Sequence, residues 1–242
     1  MSRMPNPFQP AVPLDYRNDV DAGVIARFFN SVYAWMAAGL AVTATVAWFV
    51  STQPQMQTIL KGPGIFIIFI AQLALVWVVS GAINRIGATA ATALFLLYAA
   101  LNGVIFSILL QVYAGALIAT AFVITGGMFA VTSLYGFVTK RDLTSLGAYL
   151  FMGLIGIIIA SVVSIFYHPT WLTVAINYAG VFIFIGLTAW DTQRLKVIAL
   201  QTQNNPALAA RLSISGALAL YLDFLNLFLF ILSILSNGER RR

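Results

Sequence analysis

The chain contains no cysteine, which excludes disulfides, thiol catalysis and thiolate metal sites together. Charge is nearly as scarce: Asp, Glu, Lys and Arg make up 8% of the 242 residues, against roughly 25% in a soluble domain. The single histidine, His168, stands beside Pro169 between two apolar runs and is assigned no role. What fills the chain instead is hydrophobic residues, at 61%, more apolar surface than a soluble core of this length absorbs. A helix needs about 20 apolar residues to cross ~30 Å of hydrocarbon, so the chain has room for roughly seven spans in one compact bundle. Lys and Arg number 13 against 7 Asp and Glu, a net charge of +6. These basic residues sit at segment ends and in the tail, without the aromatic-interleaved stripe of a nucleic-acid surface, so the lipid bilayer and not a nucleic acid is the expected partner.

Residues 1–26 carry Pro5, Pro7, Pro10 and Pro13 with Asp15, Arg17, Asp19 and Asp21, a composition expected to form a flexible tail. A cleaved signal peptide is not expected, because the run from Phe28 to Val50 is longer than an h-region of about 7–15 residues. Seven apolar runs follow, at 28–50, 64–83, 88–110, 113–137, 143–166, 170–191 and 208–236. They predict an all-α, polytopic membrane protein with its transmembrane domain at 27–236 and a short basic tail at 237–242. Gln53-Pro54, Gly62-Pro63-Gly64, Asn84-Arg85, Lys140-Arg141-Asp142, His168-Pro169 and the polar stretch from Gln201 to Arg211 separate the runs. Asn205-Pro206 reads as an N-cap followed by proline at the first helical position. Barrel strands are excluded by the lack of alternation. Small residues four apart, such as Gly103 and Ser107, Ala37 and Ala41, and Ala88 and Thr92, are read as ordinary close packing between helices.

Orientation follows from Lys and Arg near the helix ends. With the N-terminus in the cytoplasm, Arg3, Arg17, Arg27, Arg85, Lys140, Arg141, Arg194, Lys196 and Arg211 lie inside and Lys61 alone lies in the outer loops. Seven full spans would put Arg240, Arg241 and Arg242 outside, so the last helix either crosses against the rule or re-enters.

Ionisable groups inside a membrane are costly and call for a partner or a role. Two acids interrupt apolar runs, Asp191 in Gly-Leu-Thr-Ala-Trp-Asp-Thr-Gln-Arg-Leu-Lys and Asp223 in Leu-Ala-Leu-Tyr-Leu-Asp-Phe-Leu-Asn-Leu-Phe. Asp223 is about ten residues from Ser213, hence ~15 Å deep. Asp191 lies near its helix end, where pairing with Arg194 is the plain alternative. Helices joined by a short loop are usually antiparallel neighbours, so the two carboxyls can face one another, although counting leaves a depth mismatch of several residues. Two like charges in a low dielectric do not both ionise easily, which makes such a pair a proton sensor. In place of the proton it suits a hard cation such as Ca²⁺, bound weakly as a permeant ion. Arg85 is the candidate counter-charge, with a plain positive-inside anchor as the alternative. Asn226, three residues after Asp223, and Thr188 are candidate polar residues of an ion pathway. Asn102, Asn177 and Gln72 are read as groups that bond between helices.

The stretches from Gly186 to Lys196 and from Leu220 to Phe228 resemble the two signature segments of the Bax inhibitor-1 family, the transmembrane Bax inhibitor motif proteins. Ser133-Leu134-Tyr135-Gly136 through Thr139-Lys140-Arg141-Asp142-Leu143 resembles its bacterial branch, and the likeness runs from about Ala26 to Ser236. The resemblance implies a seven-helix bundle with the last helix near its centre, in the bacterial inner membrane, acting as a pH-sensitive calcium leak. It implies that Asp191 and Asp223 are the proton-sensing pair and Arg85 the latch. It also implies a link to a membrane-anchored AAA protease as substrate or modulator, and no cofactor beyond calcium as permeant ion. One departure is that no acidic residue lies between Gly64 and Ile83, where some family members carry one.

An enzyme is not expected. Intramembrane aspartyl proteases need Tyr-Asp and Gly-x-Gly-Asp, whereas these stretches read Trp190-Asp191 and Tyr221-Leu222-Asp223. A retinal protein needs a lysine within a span, and Lys61, Lys140 and Lys196 lie at ends or in loops. A proton-coupled transporter stays open as an alternative to the leak.

Overall fold

The structure is a computed structural model that describes residues 14–60, 62, 64–82, 87–167 and 169–239. Among the described residues every regular element is an α-helix: α1 (Leu14–Ser51), α2 (Pro54–Leu60), α3 (Gly64–Ala82), α4 (Ala88–Val112), α5 (Gly115–Val138), α6 (Thr144–Tyr167), α7 (Thr170–Gln201) and α8 (Pro206–Glu239). Proline punctuates this order from outside the long helices, where its missing N–H does no harm. Pro54 and Pro206 open α2 and α8, and Pro169 precedes α7. At the start of α8 the Leu208 amide donates to Asn205 Oδ1 at 3.0 Å, the N-cap expected from Asn205-Pro206.

The all-helical, polytopic membrane class holds, and the count of spans is corrected. Among the described residues six helices are long and apolar enough to cross a membrane: α1, α4, α5, α6, α7 and α8. The second apolar run forms α3, whose described apolar part is Gly64–Trp77, with the seven-residue α2 placed ahead of it. Helix α1 begins at Leu14, ahead of the apolar run that starts at Phe28. No proline occurs between Pro13 and Pro54, so nothing stops the apolar helix from propagating back into polar sequence. Residues 1–13 lie outside the described part. Helix α8 is unbroken from Pro206 to Glu239, about 51 Å at 1.5 Å per residue, and so carries no re-entrant break.

Helix α8 is the centre of the bundle and packs against α1, α4, α5 and α7. Its run Leu-Ala-Leu-Tyr-Leu-Asp-Phe-Leu-Asn-Leu-Phe-Leu-Phe-Ile-Leu is apolar on every face, the pattern of a helix surrounded by others. Helix α6 is the opposite case and packs on α7 with nearly all its remaining surface exposed. Two cores stack along α8. One joins Phe28, Val32, Phe95, Leu195 and Tyr221, and the other joins Ala121, Phe184, Leu227 and Leu232. The first half of α1 lies beside the α7–α8 turn: Ser31 and Ser213 hydroxyls are 3.0 Å apart, and Arg27 and Thr202 line one crevice. Gln193 on α7 bonds both the Leu143 amide and the Arg141 carbonyl, and Lys196 Nζ donates to the Phe137 carbonyl. Arg27, Lys140, Arg141, Arg194, Lys196 and Arg211 therefore gather at one end, called here the basic end.

Candidate functional site

Helices α7 and α8 are antiparallel neighbours across the short turn after Gln201. Their register is set by large side chains in glycine notches. Leu195 fills the space where Gly216 has no Cβ, and a methyl added at Gly180 would meet the Phe230 ring at 2.5 Å. With Leu195 opposite Gly216, Asp191 lies level with Leu220, and Asp223 is one turn, about 4.5 Å, farther from the basic end. A carboxyl side chain spans that offset, which removes the depth mismatch left by counting residues. Asp191 and Asp223 lie within hydrogen-bonding reach of each other. Asp223 is 5% exposed, and its Oδ2 has no other partner. Two carboxyls hydrogen-bond only when one carries the proton, because an ionised carboxylate is purely an acceptor.

Asp191 also faces a crevice of about 450 Å³ between α7 and α8, lined by Arg194, Ser215, Ala219 and Leu222 among others. Asp191 thus borders the crevice while Asp223 stays inside the bundle. Arg194 stacks its guanidinium over Trp190 at 5.6 Å and stays close enough to Asp191 to act as its counter-charge, so Asp191 lies between Arg194 and Asp223. Arg85 lies outside the described residues. No group of three or more His, Cys, Asp or Glu side chains converges among the described residues. Asp191 and Asp223 stand as a two-carboxylate set.

Around the pair runs a frame of hydroxyls, of which sequence reading singled out Thr188 alone. Thr188 donates to the Phe184 carbonyl at 2.7 Å and Thr192 to the Thr188 carbonyl at 2.7 Å. With its one proton committed, Thr192 accepts from Ser133 at 3.0 Å, and Ser133 accepts from Tyr33 at 2.5 Å. A polarised chain therefore ties α1 and α5 to the helix that carries Asp191. Thr43 has one proton and two carbonyls in reach, those of Gly39 at 3.0 Å and Ala99 at 2.9 Å, so Tyr221 is the donor in their 2.6 Å contact. Gly136 lets α5 touch the Ala189 backbone. Single hydroxyls in apolar helices carry no periodic signal, and only the fold selects those that meet. Asn226 donates to the Leu222 carbonyl of its own helix at 2.8 Å, and Asn102 likewise to that of Tyr98 at 3.1 Å. Asn177 bonds across helices as expected, to Ser233 at 2.7 Å, whereas Gln72 Nε2 is buried without a partner.

The sequence profile of the family described as "Inhibitor of apoptosis-promoting Bax1" matches residues 25–240. The chain belongs to the Bax inhibitor-1 family. It is 46% identical over 216 residues to the inner membrane protein YbhL of Escherichia coli (strain K12), across 88% of this chain and 92% of that protein. It is 44% identical over 213 residues to an uncharacterised protein of Deinococcus radiodurans, across 87% and 90%. A Caulobacter vibrioides protein is 37% identical over 240 residues, across 95% and 96%. In this Bax inhibitor-1 bundle the stretch from Gly186 to Lys196 supplies the Leu195 knob and Asp191, and the stretch from Leu220 to Phe228 supplies Tyr221 and Asp223. The two segments that carried the resemblance thus form facing surfaces of one helix pair.

Proposed function

We propose that the protein is a proton-gated cation leak of the bacterial inner membrane, with calcium as the permeant ion and Asp191 and Asp223 as the gate. The observation that carries this reading is the contact of two carboxyls from adjacent helices, one buried in an apolar bundle and the other at a crevice open toward the basic end. No packing need explains an acid at Asp223, since leucine would fill the site without desolvating a carboxyl. A placement in the inner membrane is supported by the relative YbhL, named as an inner membrane protein. Six basic side chains at one end support a cytoplasmic N-terminus and α7–α8 turn.

The gate works by charge. The ionised pair attracts Arg85, three residues after α3 in the sequence and proposed as the latch, and holds the pathway shut. Protonation removes a negative charge and with it the attraction, about 4 kcal/mol for unit charges 4 Å apart at an effective dielectric of 20. The latch is then released, and flux rises as pH falls. Thr188 and Asn226 flank the pair along α7 and α8 as polar residues of the path. Two carboxylates offer calcium too few oxygens for tight storage, which suits an ion that must leave again. The test is calcium flux into proteoliposomes from pH 6 to 8, with Asp191→Asn and Asp223→Asn beside the native protein. Flux that depends on pH and loses that dependence in both variants supports the leak. Native protein that gives no flux above empty liposomes overturns it, and pull-down with a membrane-anchored AAA protease becomes the next experiment.

A further inference from the structure

Between the carboxyl pair and the far end of the bundle, one face of α8 carries Asp223, Asn226, Phe230, Ser233 and Asn237, spaced alternately by three and four residues. Along the facing helix α7 run Asp191, Thr188, Phe184, Gly180 and Asn177. The polar residues fall into two groups. The inner group is the carboxyl pair with Thr188 and Asn226, of which Asp191 lines the 450 Å³ crevice. The outer group is Asn177 bonded to Ser233 at 2.7 Å, together with Asn237. It adjoins a crevice of about 100 Å³ lined by Asn177 and Asn237, and a wider one of about 480 Å³ lined by Thr120, Tyr178 and Ile234.

What separates the groups is a phenylalanine in a glycine notch. The Phe230 ring occupies the space that a Cβ at Gly180 would need, and it packs on Phe184 with centroids 5.9 Å apart at 34°. Leu187, Leu227 and Ile231 belong to the same buried cluster. Asn226 and Ser233 are seven residues apart on α8, so the apolar layer is about 10 Å thick. A layer of that depth without polar atoms excludes water, and ions cannot shed hydration to cross it. Gly180 is needed for this arrangement, since any side chain there would expel the ring from the helix interface.

We infer that Phe230, seated against Gly180 and Phe184, is a hydrophobic seal that closes the far side of the ion path. The inference deepens the leak reading and rests on it for its function, whereas the seal itself is a statement about water access. The protein then has two barriers in series, a charged one at the carboxyl pair and an apolar one farther on.

The experiment exploits the absence of cysteine, so that each introduced thiol is the sole one. Asn226→Cys is probed at pH 6 with a membrane-impermeant methanethiosulfonate added on the far side, in the native background and with Phe230→Ala, Phe184→Ala or Phe230→Leu. With Phe230 in place the thiol stays unmodified from the far side. Either alanine variant exposes it, and Phe230→Leu, which keeps the layer apolar and filled, does not. In proteoliposomes at pH 6 either alanine variant raises calcium flux about tenfold or more over the native protein. Far-side modification with Phe230 intact overturns the seal, and so does unchanged access in both alanine variants. If access changes as stated but no variant carries calcium, the seal stands and the leak reading falls. If access is unchanged while native flux keeps its pH dependence, the leak stands and the seal falls.

Discussion

Replacing Asp223 by Asn keeps the shape of the side chain and exchanges an acid for an amide that donates at every pH. In the native pair one proton separates the bridged state from the doubly charged one. In the variant the amide bridges to Asp191 permanently, and no shared proton is left to titrate. Asp223 is the one charged residue among the buried side chains of the described residues, so a single proton is expected to control opening. A single titration changes the open-to-closed ratio at most tenfold per pH unit, or 1.36 kcal/mol, and needs about two units to pass from one-tenth to nine-tenths open. The loss of about 4 kcal/mol of attraction on protonation is enough to carry a two-state gate from roughly 3% to roughly 97% open. Calcium flux measured in steps of pH from 6 to 8 should therefore rise toward acid with a slope near one proton, while Asp223→Asn varies less than about threefold over the range. A native slope near two protons would place a second titrating group in the gate. Full pH dependence in Asp223→Asn would refute the shared proton altogether.

Three further outcomes test the frame around the pair. Thr43→Val leaves the Tyr221 hydroxyl without its acceptor and should lower stability in detergent by about 1 kcal/mol, the scale of interhelical hydrogen bonds in membranes. Adding Tyr221→Phe should then cost little more, and fully additive losses in thermal unfolding would contradict the assigned bond. Gly136→Ala places a methyl against the Ala189 carbonyl and should destabilise by about 1–3 kcal/mol. Gly126→Ala, at a site with nothing within 4 Å, should be neutral or slightly stabilising by the same assay. At the basic end, hydrogen bonds from the Thr144 hydroxyl and amide hold the exposed Asp142 carboxyl below its ordinary value. Its contribution to the start of α6 is therefore complete above the unfolded carboxyl's titration and lost as pH falls through the folded one. Amide exchange in the first turn of α6 should be faster in Asp142→Ala than in native protein at neutral pH, and the two should converge in acid.

Much of the molecule was legible from local signals. Asn205-Pro206 marked the start of α8 because an amide oxygen cap and a proline at the first helical position are local chemistry. Asp191 and Asp223 stood out because a carboxyl inside an apolar run has no cheap local explanation. Helix α1 begins at Leu14, ahead of the apolar run from Phe28, because a helix nucleated in its apolar part extends until a proline stops it.

The sequence by itself determined which segments leave water and which end collects the positive charge, since each depends on residues close in the chain. Only the tertiary structure decided that Asp191 meets Asp223, that Thr192 accepts from Ser133 and that Phe230 seats against Gly180 and Phe184. Those contacts depend on the register of α7 against α8, which is set by Leu195 in the notch of Gly216 and Phe230 in the notch of Gly180. A shift of one turn would part the carboxyls while leaving every local pattern in the sequence unchanged.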